Sequence, residues 1–186
     1  MRICLSILFI GGISSVSLAD AITPAPKCHL ADKYVVMEQP TASDAVGTNF
    51  SIYVKKNTTE KVKCPLTAKK MSWRISNENA EYYLGQTGKF LVLDSGTAAQ
   101  MRDLVIWDLA ERKKIKTFSY EAPAQLKSYD LSYWVRSQDT VNAANCPNLK
   151  ELEKMGLGQA IDYQETLNLK TMQINKTQKT RCAGVS

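Results

Sequence analysis

The four cysteines at positions 28, 64, 146 and 182 constrain this chain more than any other feature. An even number of cysteines behind an export signal reads as a disulfide framework, and four cysteines allow three connectivities. The local pairing, Cys28 with Cys64 and Cys146 with Cys182, is favoured because each bridge then ties one end of the chain to nearby structure. Each would close a loop of roughly 37 residues and contribute about 3.5–4 kcal/mol in the chain-entropy treatment. Metal binding is the other use of clustered thiols. No two of these cysteines stand at the short spacing of metal ligands, and the single histidine, His29, adjoins Cys28. Neither metal nor cofactor is expected.

The export signal is residues 1–21. Met1 and Arg2 make a minimal positive start, and Ile3 to Ile13 is apolar apart from Ser6, Gly11 and Gly12. That run is too short for a membrane span, which needs about 20 apolar residues. Ala19-Asp20-Ala21 is an A-x-A cleavage pattern, so the cut is placed after Ala21. A cut after Ala19 is the next choice, and an uncleaved anchor is the alternative. Cys4 lies too early for a lipoprotein attachment cysteine. Residues 22–186 then make a single disulfide-stapled domain, periplasmic or extracellular, with no later membrane span. Its oligomeric state is left open.

Most of this domain reads as short strands separated by turn residues. Lys33–Gln39 reads as a strand, and Asn49–Lys55 as a half-buried one with Phe50, Ile52 and Val54 on its inner face. Trp73 and Ile75 mark another. Phe90–Leu93 and Leu104–Leu109 suit interior strands, and Arg102–Tyr120 forms a hairpin. After Pro123, Tyr129–Val135 is a further strand, and Gln159–Leu169 returns through Thr171–Ile174. One helix near 148–156 interrupts the pattern. Asn148 is its cap with Glu151 three residues on, Leu149, Leu152 and Met155 share a face, and Gly156 is the stop. The expected fold class is all-β, a mainly antiparallel sandwich or barrel-like sheet with one short helix and two disulfides.

The stretch from Asp94 through Trp107-Asp108 to Lys113 resembles one β-propeller blade, but it does not recur at a blade period. It is read as a buried hairpin in which Trp107 is core and Asp108 bonds a turn.

Catalytic constellations are missing. His29 is the sole imidazole and is assigned to the surface, bridged cysteines leave no thiol, and there is no phosphate loop or nucleophile elbow. No catalytic residue is assigned, and the chain is not expected to be an enzyme. Paired carboxylates among Asp94, Asp103, Asp108, Asp130 and Asp162 keep a glycan hydrolase as a distant alternative. Asn49, Asn57 and Asn175 head glycosylation sequons that matter only in a eukaryotic secretory pathway. Tyr82, Tyr83, Tyr120, Tyr129, Tyr133 and Trp134 are divided between core filling and a binding surface.

The formal net charge is +6, unchanged by loss of Arg2 and Asp20 with the signal segment. Cations gather at Lys55, Lys56, Lys61, Lys63, Lys69, Lys70 and Arg74, at Arg112, Lys113, Lys114 and Lys116, and at Lys170, Lys176, Lys179 and Arg181. A basic exported protein attracts anionic partners. The leading expectation is a non-enzymatic binding module, an inhibitor or adaptor of another protein, with Arg112, Lys113 and Lys114 as the contact turn. The alternative is a structural or adhesive envelope protein that binds anionic polymer. Nucleic acid is not an expected partner, because no recognition motif is present.

Overall fold

A computed structural model describes residues 25–41 and 46–185; the proposed signal segment lies outside the described residues. Four strands, β1 (Lys27–Leu30), β2 (Tyr34–Pro40), β3 (Thr48–Val54) and β4 (Trp73–Ile75), form one antiparallel sheet in chain order. Seven more form a second, also antiparallel and in chain order: β5 (Glu81–Thr87), β6 (Phe90–Ser95), β7 (Met101–Asp108), β8 (Lys113–Lys127), β9 (Asp130–Arg136), β10 (Gly158–Asn168) and β11 (Ile174–Val185). The all-β expectation with one short helix is met.

Successive side chains on a strand point to opposite faces. On β6 and β7, Leu91, Leu93 and Val105 face the smaller sheet, where they meet Tyr34, Val36, Phe50, Ile52 and Ile75. Phe90, Val92, Leu104 and Ile106 point the other way, into a second core with Tyr120, Leu131, Tyr133, Leu167 and Leu169. Both faces of these strands are therefore buried, which is why their sequences are unbroken apolar runs rather than alternating ones.

The second core exists because the larger sheet curls until β5 lies against β8. Gly85 marks the close approach, since a Cβ there would stand 2.9 Å from Leu126 Cδ2. The long strand β8 makes the bend. It pairs with β7 as far as Glu121 and with β9 at Glu121 and again from Gln125, and the β9 register skips Ala122 to Ala124. The hairpin expected over Arg102–Tyr120 stops short of the observed strand, because β8 continues past Tyr120 and through Pro123 to Lys127. Proline offers no ladder N–H, and inside a bulge none is required.

Each disulfide holds a loop over a small core of its own, with the favoured pairing observed. Cys28–Cys64 pins the segment 55–72 across the outer face of the smaller sheet, where Leu66 packs on Val35 and Met37 beside Tyr53, Val62 and Met71. Strand β3 is thus covered on both faces and not half-buried as expected. Its Ser51 is fully buried and donates to Gln39 Oε1 at 2.8 Å. Cys146–Cys182 ties the helix-bearing segment to β10 and β11 through Leu152 and Ile161.

That helix, α1, spans only Leu149–Lys154, and the Asn148 side chain makes no capping bond. Met155, expected on the buried face, is 69% exposed. The helix ends first, Gly156 turns the chain at φ +71, and Leu157 fills the apolar position instead, its amide donating to the Leu152 carbonyl at 3.1 Å. Strand β11 is longer than the expected return, because pairing with β10 continues through Lys176 and, past a register shift that leaves 177–179 without partners on β10, resumes from Thr180 to Val185.

Candidate anion-binding surface

Seven of the chain's 24 lysines and arginines fall between residues 55 and 74, against a single acid, Glu60. The disulfide and Leu66 fix where this segment lies, and its polar residues face water. Lys56, Lys61, Lys63, Lys69, Lys70 and Arg74 are exposed and Lys55 is partly so. None of the seven makes an ion pair with a described carboxylate.

Glu60 is occupied inside the segment. It accepts the Tyr53 hydroxyl at 2.6 Å and the Lys56 amide at 2.7 Å. These bonds, the phenol's first, hold its carboxyl below the usual value, so it stays ionised as an internal stitch. The remaining charges form a positive field on a covalently anchored support. Such a field attracts anions over roughly the Debye length, about 10 Å at 0.1 M salt.

The expected contact residues Arg112, Lys113 and Lys114 lie at the β7–β8 turn and are all exposed. Asp108 builds that turn, accepting the amides of Ala110 at 2.9 Å and Glu111 at 3.1 Å. Lys89 Nζ lies 2.7 Å from its other oxygen. Burial works to raise the Asp108 carboxyl, but Lys89 and the two amides outweigh it and hold the group below its ordinary value. Lys114 sits 3.9 Å from Glu78 and over the Trp107 ring. Acids thus surround this turn, and its field is weaker than that of the stapled segment.

The other candidate groups are engaged within the fold. His29 is not a free surface residue. It stacks on Tyr83 across the two sheets with centroids 3.5 Å apart, and its Nε2 lies 2.5 Å from Glu38. Burial first, and then Glu38, push the Tyr83 phenol up to about 12. Asp94 accepts from Arg102 and Tyr120, Asp103 from Ser119, and Asp130 from Asn168. Tyr120 and Tyr133 are core, whereas Tyr82 and Trp134 retain exposure.

One cluster escaped the sequence reading. Asp162 is fully buried and binds Arg136 at 2.7 Å and Arg181 at 2.9 Å, while Arg136 also reaches Glu121 at 2.8 Å. Asp162 faces Arg136 on one side and Arg181 on the other, which only the strand register reveals. Among the described residues no group of His, Cys, Asp and Glu is arranged to hold a metal, and no helix is long and apolar enough to cross a membrane. Comparison with family models, with curated proteins and with solved structures finds no match in any of the three.

Proposed function

We propose that this chain is an exported, non-enzymatic binding module that holds an anionic polymer on its stapled lysine segment. Two disulfides fit folding in an oxidising compartment outside the cytoplasm. The observation that carries the reading is the set of seven cations between residues 55 and 74, free of ion pairs with described carboxylates and displayed on a segment fixed by Cys28–Cys64. Dispersed charge on an open surface suits a repeating anion better than a single shaped ligand.

The test is retention of the disulfide-bonded protein on anionic polysaccharide and on immobilised envelope extract across a salt series. Replacing Lys61, Lys63, Lys69 and Lys70 by glutamate should abolish retention while shifting stability by no more than about 0.5 kcal/mol per substitution, as for surface changes generally. Wild-type retention should also fall steeply with salt.

A second reading, an inhibitor or adaptor of an acidic protein, rests on the Arg112-Lys113-Lys114 turn projecting between β7 and β8. Stoichiometric capture of one protein through high salt, lost on reversing those three charges and kept on reversing the stapled lysines, would replace the polymer reading with this one.

A further inference from the structure

The larger sheet has an inner face closed on the second core and an outer face that the smaller sheet covers at β6 and β7. Over β8, β9 and β10 that outer face carries Gln125, Ser132, Trp134, Gln164 and Thr166, all opposed across the strands. Polar residues are expected on a solvent-facing sheet, and the indole of Trp134 is the exception. Beside it the β8 bulge sets Ala122, Pro123 and Ala124 against Tyr133 alone, which opens the ladder. The result is a recess of about 340 Å³ lined by Pro123, Ala124, Gln125, Ser132, Trp134 and Gln164.

No side chain lining this recess is charged. It offers one large aromatic surface, two carboxamides that both donate and accept, and a hydroxyl. A sugar ring has the matching chemistry: an apolar face of C–H groups to lie on an indole, edged by hydroxyls that donate and accept in turn. The volume is at the small end of the range for ligand sites, which suits one ring of a chain that continues into solvent.

The indole is held before any ligand arrives. Arg181 places its guanidinium 4.7 Å from the Trp134 ring centroid and is not among the lining residues, so it braces the ring from outside the recess. Arg181 is itself fixed by Asp162 and by the Ala122 carbonyl, each at 2.9 Å. The next residue, Cys182, is bridged to Cys146. A rotamer locked in advance need not be ordered on binding, so more of the contact energy becomes affinity.

We infer that the recess beside Trp134 is a subsite for a neutral saccharide, separate from the lysine segment and independent of it. The test is titration of the full disulfide-bonded protein with disaccharides of glucose, galactose, mannose and N-acetylglucosamine. It is followed by NMR at the Trp134 indole N–H and the Gln125 and Gln164 side-chain amides, at low and high salt. At least one neutral disaccharide should move these three signals equally at both salt concentrations, and Trp134→Ala, which removes the indole signal itself, should abolish the response at both glutamine amides. Gln164→Ala should weaken it about tenfold, the loss of one well-placed polar contact. Glutamate at the stapled lysines should leave it unchanged, even if those variants no longer bind polyanion. Trp134→Phe keeps a ring in place should the alanine variant not fold, and it should retain weakened binding. Trp134 signals unmoved by the whole panel would overturn the assignment. So would a response that survives Trp134→Ala, or movement by a proline-rich peptide and by no sugar.

Discussion

Single residues carry the fold's electrostatics in two places. Asp162 is fully buried, and its partners Arg136 and Arg181 remain 31% and 27% exposed. Replacing Asp162 by asparagine leaves two guanidiniums facing one another with only Glu121 to offset them. Water reaches both arginines, so the expected loss is about 2–4 kcal/mol, below the full effect of breaking a buried pair; urea unfolding midpoints measure it. Asp108 makes a pH-dependent contribution. Its folded carboxyl lies below the ordinary value, so its stabilisation is present above that value and is lost as the solution is acidified through the folded one. Melting temperature should therefore decline more steeply in wild type than in Asp108→Asn below about pH 4. The Asp108 turn bond was legible from sequence, because an aspartate at a strand end has few other uses. The Asp162 cluster was not, because its members lie far apart in sequence and meet only through strand register.

Among the elements, the two stapled segments make the sharpest forecasts. Loss of either disulfide should lower stability by about 3.5–4 kcal/mol in the chain-entropy treatment. The local outcomes should differ. Without Cys28–Cys64, amide exchange should quicken in 55–72 and over β2 and β3, whose outer face that segment covers. Without Cys146–Cys182, it should quicken in α1 and β11. Strand β5 gives a steric test. Gly85→Val sets branched atoms against Leu126, already 2.9 Å from an ideal Cβ, and should destabilise by about 1–3 kcal/mol through overpacking. Alternation located β3, and punctuation by Gly and Asp located β6. Sequence could not show that a loop returns over β3, nor that β8 survives Pro123, since both depend on what lies opposite in space. The short α1 was misjudged at Met155 because a stripe of spacing alone takes no account of where the helix stops.

At the scale of the whole molecule, the two cores share a set of inward tyrosines. Burial first, and then Asp94 or Glu165 beside the phenol, push Tyr120 and Tyr133 well above the usual tyrosine range, as burial does for Tyr83. Raised folded values mean that this stabilisation is intact below about pH 10 and is lost as alkali carries the solution toward the folded values. These three phenols should therefore ionise only with cooperative unfolding, visible as coincident steps in phenolate absorbance and circular dichroism. The all-β class and the disulfide pairing were legible at this scale because they follow from pattern and local spacing. The curl and the bare face around Trp134 were not, since they arise from which face each sheet turns to the other. The chain-order sheets have a further consequence. Every ladder joins strands that are neighbours in sequence, and both disulfides join consecutive cysteines among the described residues. A chain emerging N-terminus first through a translocation channel could thus zip up strand by strand. An oxidant that joined its cysteines in order of appearance would make the native pairs directly, and maturation would need an oxidase without an isomerase to correct it.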